Sequence, residues 1–125
     1  MRPKSTTLTA QELEIMKLVW ERERVTVRDV YQALLEKRKV AYTTVMTMMN
    51  ILEQKGHLSK ESGDKAFVYT PTRSQRDVTR HLVGDFIERV FNGSVEPLFA
   101  HLIKDHPLSR QEIEEIERLL KERKS

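Results

Sequence analysis

Cysteine is absent from the 125-residue chain, which excludes disulfides and thiolate metal sites and gives no hint of secretion. Long apolar runs are absent too: nothing approaches a bilayer-spanning length, and the N-terminus MRPKSTTLTA lacks the apolar core of a signal peptide. A cytoplasmic protein with no membrane insertion is the expectation. Catalytic constellations are also missing. The four histidines, His57, His81, His101 and His106, show neither HExxH spacing nor a nearby nucleophile, and His101 and His106 stand five apart, a poor helical spacing for a metal. The chain therefore reads as a non-enzyme with no cofactor and no metal. Its 38% of hydrophobic residues can bury one modest core or two small ones, which suits a small regulator or binding module.

Charge is plentiful but unevenly placed. Residues 1–72 carry 12 Lys and Arg against 9 Asp and Glu, while 73–125 carry 10 against 10, so the whole surplus of three lies in the first part. A weakly basic half beside a neutral one suits a polyanionic partner for the first and a different partner for the second; scattered surface charge is the plainer reading.

Helix starts recur. Thr9 to Glu12 and Ser109 to Glu112 fit the capping box, and Thr26 to Asp29 and Ser74 to Asp77 are weaker versions. Leu8 with Leu13, Val25 with Val30 and Leu108 with Ile113 have the spacing of hydrophobic staples around three of them. A first helix is predicted over about 10–22, burying Leu13, Met16, Leu18 and Trp20, and a second over about 27–36, with Val30, Ala33 and Leu34 inward. A third covers 42–55 and is closed by Gly56 in the left-handed C′ position. Residues 58–61 and 66–70 flank the turn residues Ser62, Gly63 and Asp64 as a hairpin that Pro71 ends.

Beyond it the pattern is helical again. Val78, Leu82, Val83, Phe86, Ile87, Val90 and Phe91 cover an arc of about 220° on one helix, wider than packing on one side needs. A shorter helix carries Leu98, Phe99 and Leu102, and a last one Ile113, Ile116, Leu119 and Leu120. Three short helices in residues 73–125 can hardly form an independent core, so homodimerisation through Val78, Leu82, Phe86, Val90, Phe91, Leu98, Phe99, Leu102, Ile113, Ile116 and Leu120 is expected. Packing of this tail onto the first half is the alternative.

Helix, helix, helix, hairpin is the order of a winged helix-turn-helix. On a wheel of roughly 100° steps, Val45, Met48, Met49 and Leu52 share the inner side of the third helix, and Thr43, Thr47, Asn50 and Gln54 the outer. No charged residue occurs from Ala41 to Leu52. Solvated faces usually favour Glu and Lys; here an uncharged face rich in donors, acceptors and methyls suits a major groove, where Asn and Gln pair with adenine and Thr meets the thymine methyl. Thr26 and Arg28 at the second helix, Lys39 and Tyr42 at the third, and Lys60 and Lys65 on the hairpin are candidates for phosphate contact. Met46, at the edge of the face, is equally a packing candidate.

The segments LTAQELEIMKLVW, TVRDVYQAL, AYTTVMTMMNILEQKGHL and LSRQEIEEIERLL resemble, in order and spacing, the penicillinase repressor family, from about Leu8 to Lys121. The resemblance implies a mainly α fold: a winged-helix DNA-binding domain with a small β-hairpin wing in 1–72, and a three-helix dimerisation domain in 73–125. It further implies a homodimeric repressor on palindromic operator DNA, with Thr43, Thr44, Thr47 and Asn50 matching the family's recognition helix. Several relatives place arginines where this chain has Met46 and Ile51. Relief by a membrane sensor protease or another protease is also implied; where relatives are cut at Asn-Phe, this chain has His101-Leu102. From another class, a dimeric winged-helix module that docks a protein without binding DNA remains the alternative.

Overall fold

The computed structural model describes residues 7–124. Its elements run α1 (Ala10–Arg22), α2 (Val27–Leu35), α3 (Tyr42–Gln54), β1 (Leu58–Ser62), β2 (Phe67–Pro71), α4 (Gln75–Phe91), α5 (Glu96–Asp105) and α6 (Arg110–Lys124). This is the mainly helical chain with a two-stranded wing that the sequence implies. Contacts group it into one compact unit through Leu82 and another from Val83 onward.

Three capping boxes form as the sequence spells them. The Thr9 hydroxyl accepts from Glu12 N at 3.1 Å while the Glu12 carboxylate accepts from Thr9 N at 2.9 Å. Thr26 with Asp29, and Ser109 with Glu112, repeat the exchange. At Ser74, the hydroxyl accepts from Asp77 N.

The buried stripe of α1 is rotated from the expected one: Glu12, Ile15, Met16 and Val19 are inside, and Leu13, Leu18 and Trp20 are half-buried. The first four fall at i, i+3, i+4 and i+7, a single helix face, but the sequence disguises it because one member is an acid. Glu12 tolerates burial because Lys55, at the end of α3, brings its Nζ to 2.8 and 3.1 Å from the two carboxylate oxygens and also donates to the Thr7 carbonyl. Burial pushes the Glu12 carboxyl up, but the hydrogen bonds from Lys55 and Thr9 and the Lys55 charge outweigh it, and the net position is below the ordinary 4.5. A depressed carboxyl contributes stability that is fully present above 4.5 and lost as pH falls through the lowered value. Lys55→Met should therefore lower stability at pH 7 by about 3 kcal/mol, the low end for breaking a buried pair, since Lys55 keeps a fifth of its side chain in water. Thermal unfolding compared at pH 7 and pH 3 checks this, and the gap between the two proteins should narrow in acid.

Val30 and Leu34 of α2 and Val45, Met49 and Leu52 of α3 complete the core with Val25, Leu58 and Tyr69. The exit from α3 is a Schellman turn: Gly56 adopts φ +88°, its N–H donates to Glu53 O at 3.0 Å, and His57 N donates to Leu52 O at 2.9 Å. The wing follows, with β1 and β2 antiparallel and Lys60 opposite Tyr69. At its tip a side chain on Gly63 would place Cβ 2.5 Å from the Ala66 carbonyl, so the turn requires glycine. Its base is fastened twice, by Thr72 N to His57 O at 3.0 Å and by the Thr72 hydroxyl to Gly56 O at 2.6 Å. The Trp20 indole N–H donates to Arg73 O at 2.9 Å, just before α4.

In the second unit α4 ends at Asn92 and Gly93, both at positive φ, and no residue from Val83 to Arg123 is buried. Phe86 and Phe91 meet edge to face with centroids 5.7 Å apart. An apolar cleft of about 310 Å³ runs between α5 and α6, lined by Phe99, Leu102, Ile103, Leu108, Ile113 and Ile116. Arg118 pairs with Glu115 and Glu122 along α6. Among the described residues, no helix is long and apolar enough to cross a membrane.

Candidate nucleic-acid interface

The chemistry of α3 follows from its inner face. Val45, Met49 and Leu52 are fully buried, so the helical period turns Thr43, Thr44, Thr47 and Gln54 outward, and all four are exposed. Met46 and Ile51 are exposed beside them, which settles Met46 as a surface residue. The helix is about 20 Å long at 1.5 Å per residue and narrow enough for a major groove about 12 Å wide.

Asn50 departs from the fully exposed side chain expected. It is half-buried, and its Oδ1 accepts from the Tyr69 hydroxyl at 3.2 Å. Tyr69 itself is 2% exposed. Burial raises its phenol above the ordinary 10.0, with the Glu53 and Tyr42 charges adding to the rise, so at neutral pH it is protonated and donates.

Between the start of α2, the outer side of α3 and the wing lies an open groove of about 870 Å³. It brings together Thr26, Arg28, Tyr42, Asn50, Lys60 and Lys65, six of the residues selected from the sequence. Three cations face one acid there, Asp64. Lys60 lies 4.5 Å over the Phe67 ring, which stiffens its long stem. Tyr42 is held edge to face against Tyr31 at 5.3 Å. Lys39 is exposed ahead of α3 but does not line the groove, nor do Thr43, Thr44, Thr47 and Gln54, which stand on the adjoining convex face. Tyr69 and Phe67 were missed as groove residues; the signal was an aromatic pair two apart on a strand, one of them with a hydroxyl needing a partner.

Of the apolar residues assigned to self-association, Phe86, Val90, Phe99, Ile113 and Leu120 are exposed, and Leu82, Phe91, Leu98, Leu102 and Ile116 are half-buried. Val78 is the exception. At 4% exposure it is turned into its own chain and has little surface left for a partner. His101 and Leu102 lie within α5, where His101 Nδ1 sits 3.1 Å from Asp105 Oδ2. No cluster of three or more His, Asp or Glu able to hold a metal occurs among the described residues.

Comparison with known proteins gives a consistent pattern. The model of the family described as penicillinase repressor matches residues 8–122. The penicillinase repressor of Bacillus licheniformis is 29% identical over 114 residues, covering 91% of this chain and 89% of the relative. Among solved structures, the DNA binding domain of the repressor BlaI superposes with a TM-score of 0.54 at 29% identity, over 61% of this chain and 93% of that one. The Bacillus licheniformis BlaI monomeric form in complex with the blaP half-operator gives 0.50 at 30% identity, over 57% and 87%.

Proposed function

Because the chain belongs to the penicillinase repressor family, we propose that it is a sequence-specific transcriptional repressor that binds palindromic operator DNA as a homodimer. The observation that carries this reading is the exposed, charge-free outer face of α3 standing beside a groove that collects Arg28, Lys60 and Lys65. Phosphates are held by those cations together with Thr26, Tyr42 and Lys39, and base edges are met by Thr43, Thr44, Thr47, Asn50 and Gln54. The BlaI complex with a half-operator supports DNA as the partner. The division of labour assigns reading to 1–72 and dimerisation to 73–125. What supports the dimer is that no residue from Val83 to Arg123 is buried while many apolar ones there are exposed, which a second copy would cover. Two copies of α3 then enter successive major grooves about one helical turn apart.

A signal acting on the second unit, proteolysis by a membrane sensor or another protease included, would relieve repression by separating the two copies. Cleavage at His101-Leu102 requires α5 to unwind first, since both residues are helical.

Binding to random-sequence duplex at several salt concentrations tests the reading. With four cations engaged per subunit, log K should fall against log salt with a slope of about −3 to −4 per subunit, since each neutralised phosphate releases condensed counterions. Absence of salt-sensitive binding would leave a dimeric module that docks a protein instead.

A further inference from the structure

Tyr69 is anchored more completely than a wing residue needs to be. Its N–H donates to Val25 O at 2.7 Å and its carbonyl accepts from Val25 N at 3.0 Å, which ties β2 to the residue before the α2 cap. Its ring is buried in the core, and its hydroxyl reaches Asn50 on the outer shoulder of α3. One residue therefore joins wing, second helix and third helix, and its polar end touches a side chain that lines the cationic groove.

A carboxamide on a groove-facing helix has two ways to meet a base. Free to turn, it offers one acceptor and one donor together, the pairing adenine requires at N7 and N6. With the oxygen held inward by a phenol, what is left outward is the NH2 group, which only donates. The matching edge is one with two acceptors, as guanine presents at O6 and N7.

We infer that Tyr69 is a positioning residue for sequence readout, holding Asn50 oxygen-in and amine-out so that Asn50 prefers guanine to adenine at one position of each half-site. The inference rests on the DNA-binding reading above and narrows it. It also reverses the adenine preference that Asn50 suggests when the sequence is read without its neighbours.

The test uses the full chain and duplexes selected by the wild-type protein from a random pool, then varied one base pair at a time. Wild type should favour guanine over adenine by about tenfold at one position per half-site. Tyr69→Phe keeps the buried ring and removes the hydroxyl, so the preference should fall to within about twofold, through affinity lost for the guanine duplex rather than for every duplex alike. Asn50→Ala should abolish the preference, and adding Tyr69→Phe to it should change nothing further, because the tyrosine acts only through the asparagine. A purely packing role for Tyr69 would instead weaken every sequence alike and add to the Asn50→Ala effect, and either result overturns the inference. A wild-type guanine preference that survives Tyr69→Phe overturns it alone. Lack of any salt-sensitive duplex binding by the wild-type protein removes the DNA-binding reading and this inference with it.

Discussion

Thr47→Glu should reduce duplex affinity by roughly 30- to 1,000-fold while leaving the fold intact. Thr47 lies near the middle of the exposed arc of α3, with Thr43 one turn before it and Asn50 and Gln54 beyond. A carboxylate there would enter the groove between two rows of phosphates. At effective dielectric values near a protein surface, one such charge costs about 2–4 kcal/mol against a phosphate a few ångströms away, or roughly 30- to 1,000-fold in affinity. Since Thr47 is exposed, its replacement should change unfolding stability by no more than about 0.5 kcal/mol. Titration of the selected duplex, with thermal unfolding as the control, checks both halves. Thr47→Glu protein that is folded and binds as wild type would show that another surface meets the DNA.

Phe86→Asp should split the proposed dimer, raising its dissociation constant by roughly a hundredfold or more. Phe86 is 42% exposed and stands edge to face against Phe91, with Val83 and Val90 exposed on the same helix. If that face is covered by a second copy, an aspartate in its middle must either lose its hydration without a partner or keep the two copies apart. Phe86 belongs to the second unit, so the first should unfold at its wild-type temperature. Sedimentation equilibrium measures the assembly state. Operator affinity should fall with it, because two linked half-sites bind far more tightly than one. Dimers that persist would place the contact on another of the exposed apolar faces, such as that of Ile103 or Leu119 and Leu120.

Much of the fold was legible because local signals and global packing agree. The hydroxyl-to-acid spacings at Thr9, Thr26 and Ser109 mark helix starts that the structure reproduces bond for bond, and Gly56 marks an end whose positive φ only glycine adopts cheaply. What could not be read depends on pairs distant in sequence. Glu12 looks like a surface acid until Lys55, 43 residues on, comes beside it, so the inner stripe of α1 was placed too far round. Asn50 looks like a free reader until Tyr69, 19 residues on, takes its oxygen. Periodicity tells which side of a helix faces in; it cannot tell which polar residue at the rim has a partner across the fold. That Thr43, Thr47 and Gln54 are exposed was legible because it follows from the helical period alone.

The bond from the Trp20 indole to the Arg73 carbonyl has a practical consequence. Tryptophan emission shifts red when water reaches the ring, and this chain has one tryptophan, so its native fluorescence watches one spot: the place where the backbone leaves the wing and enters α4. Loosening of that spot by a ligand, a bound duplex or heat would be visible without attaching any dye.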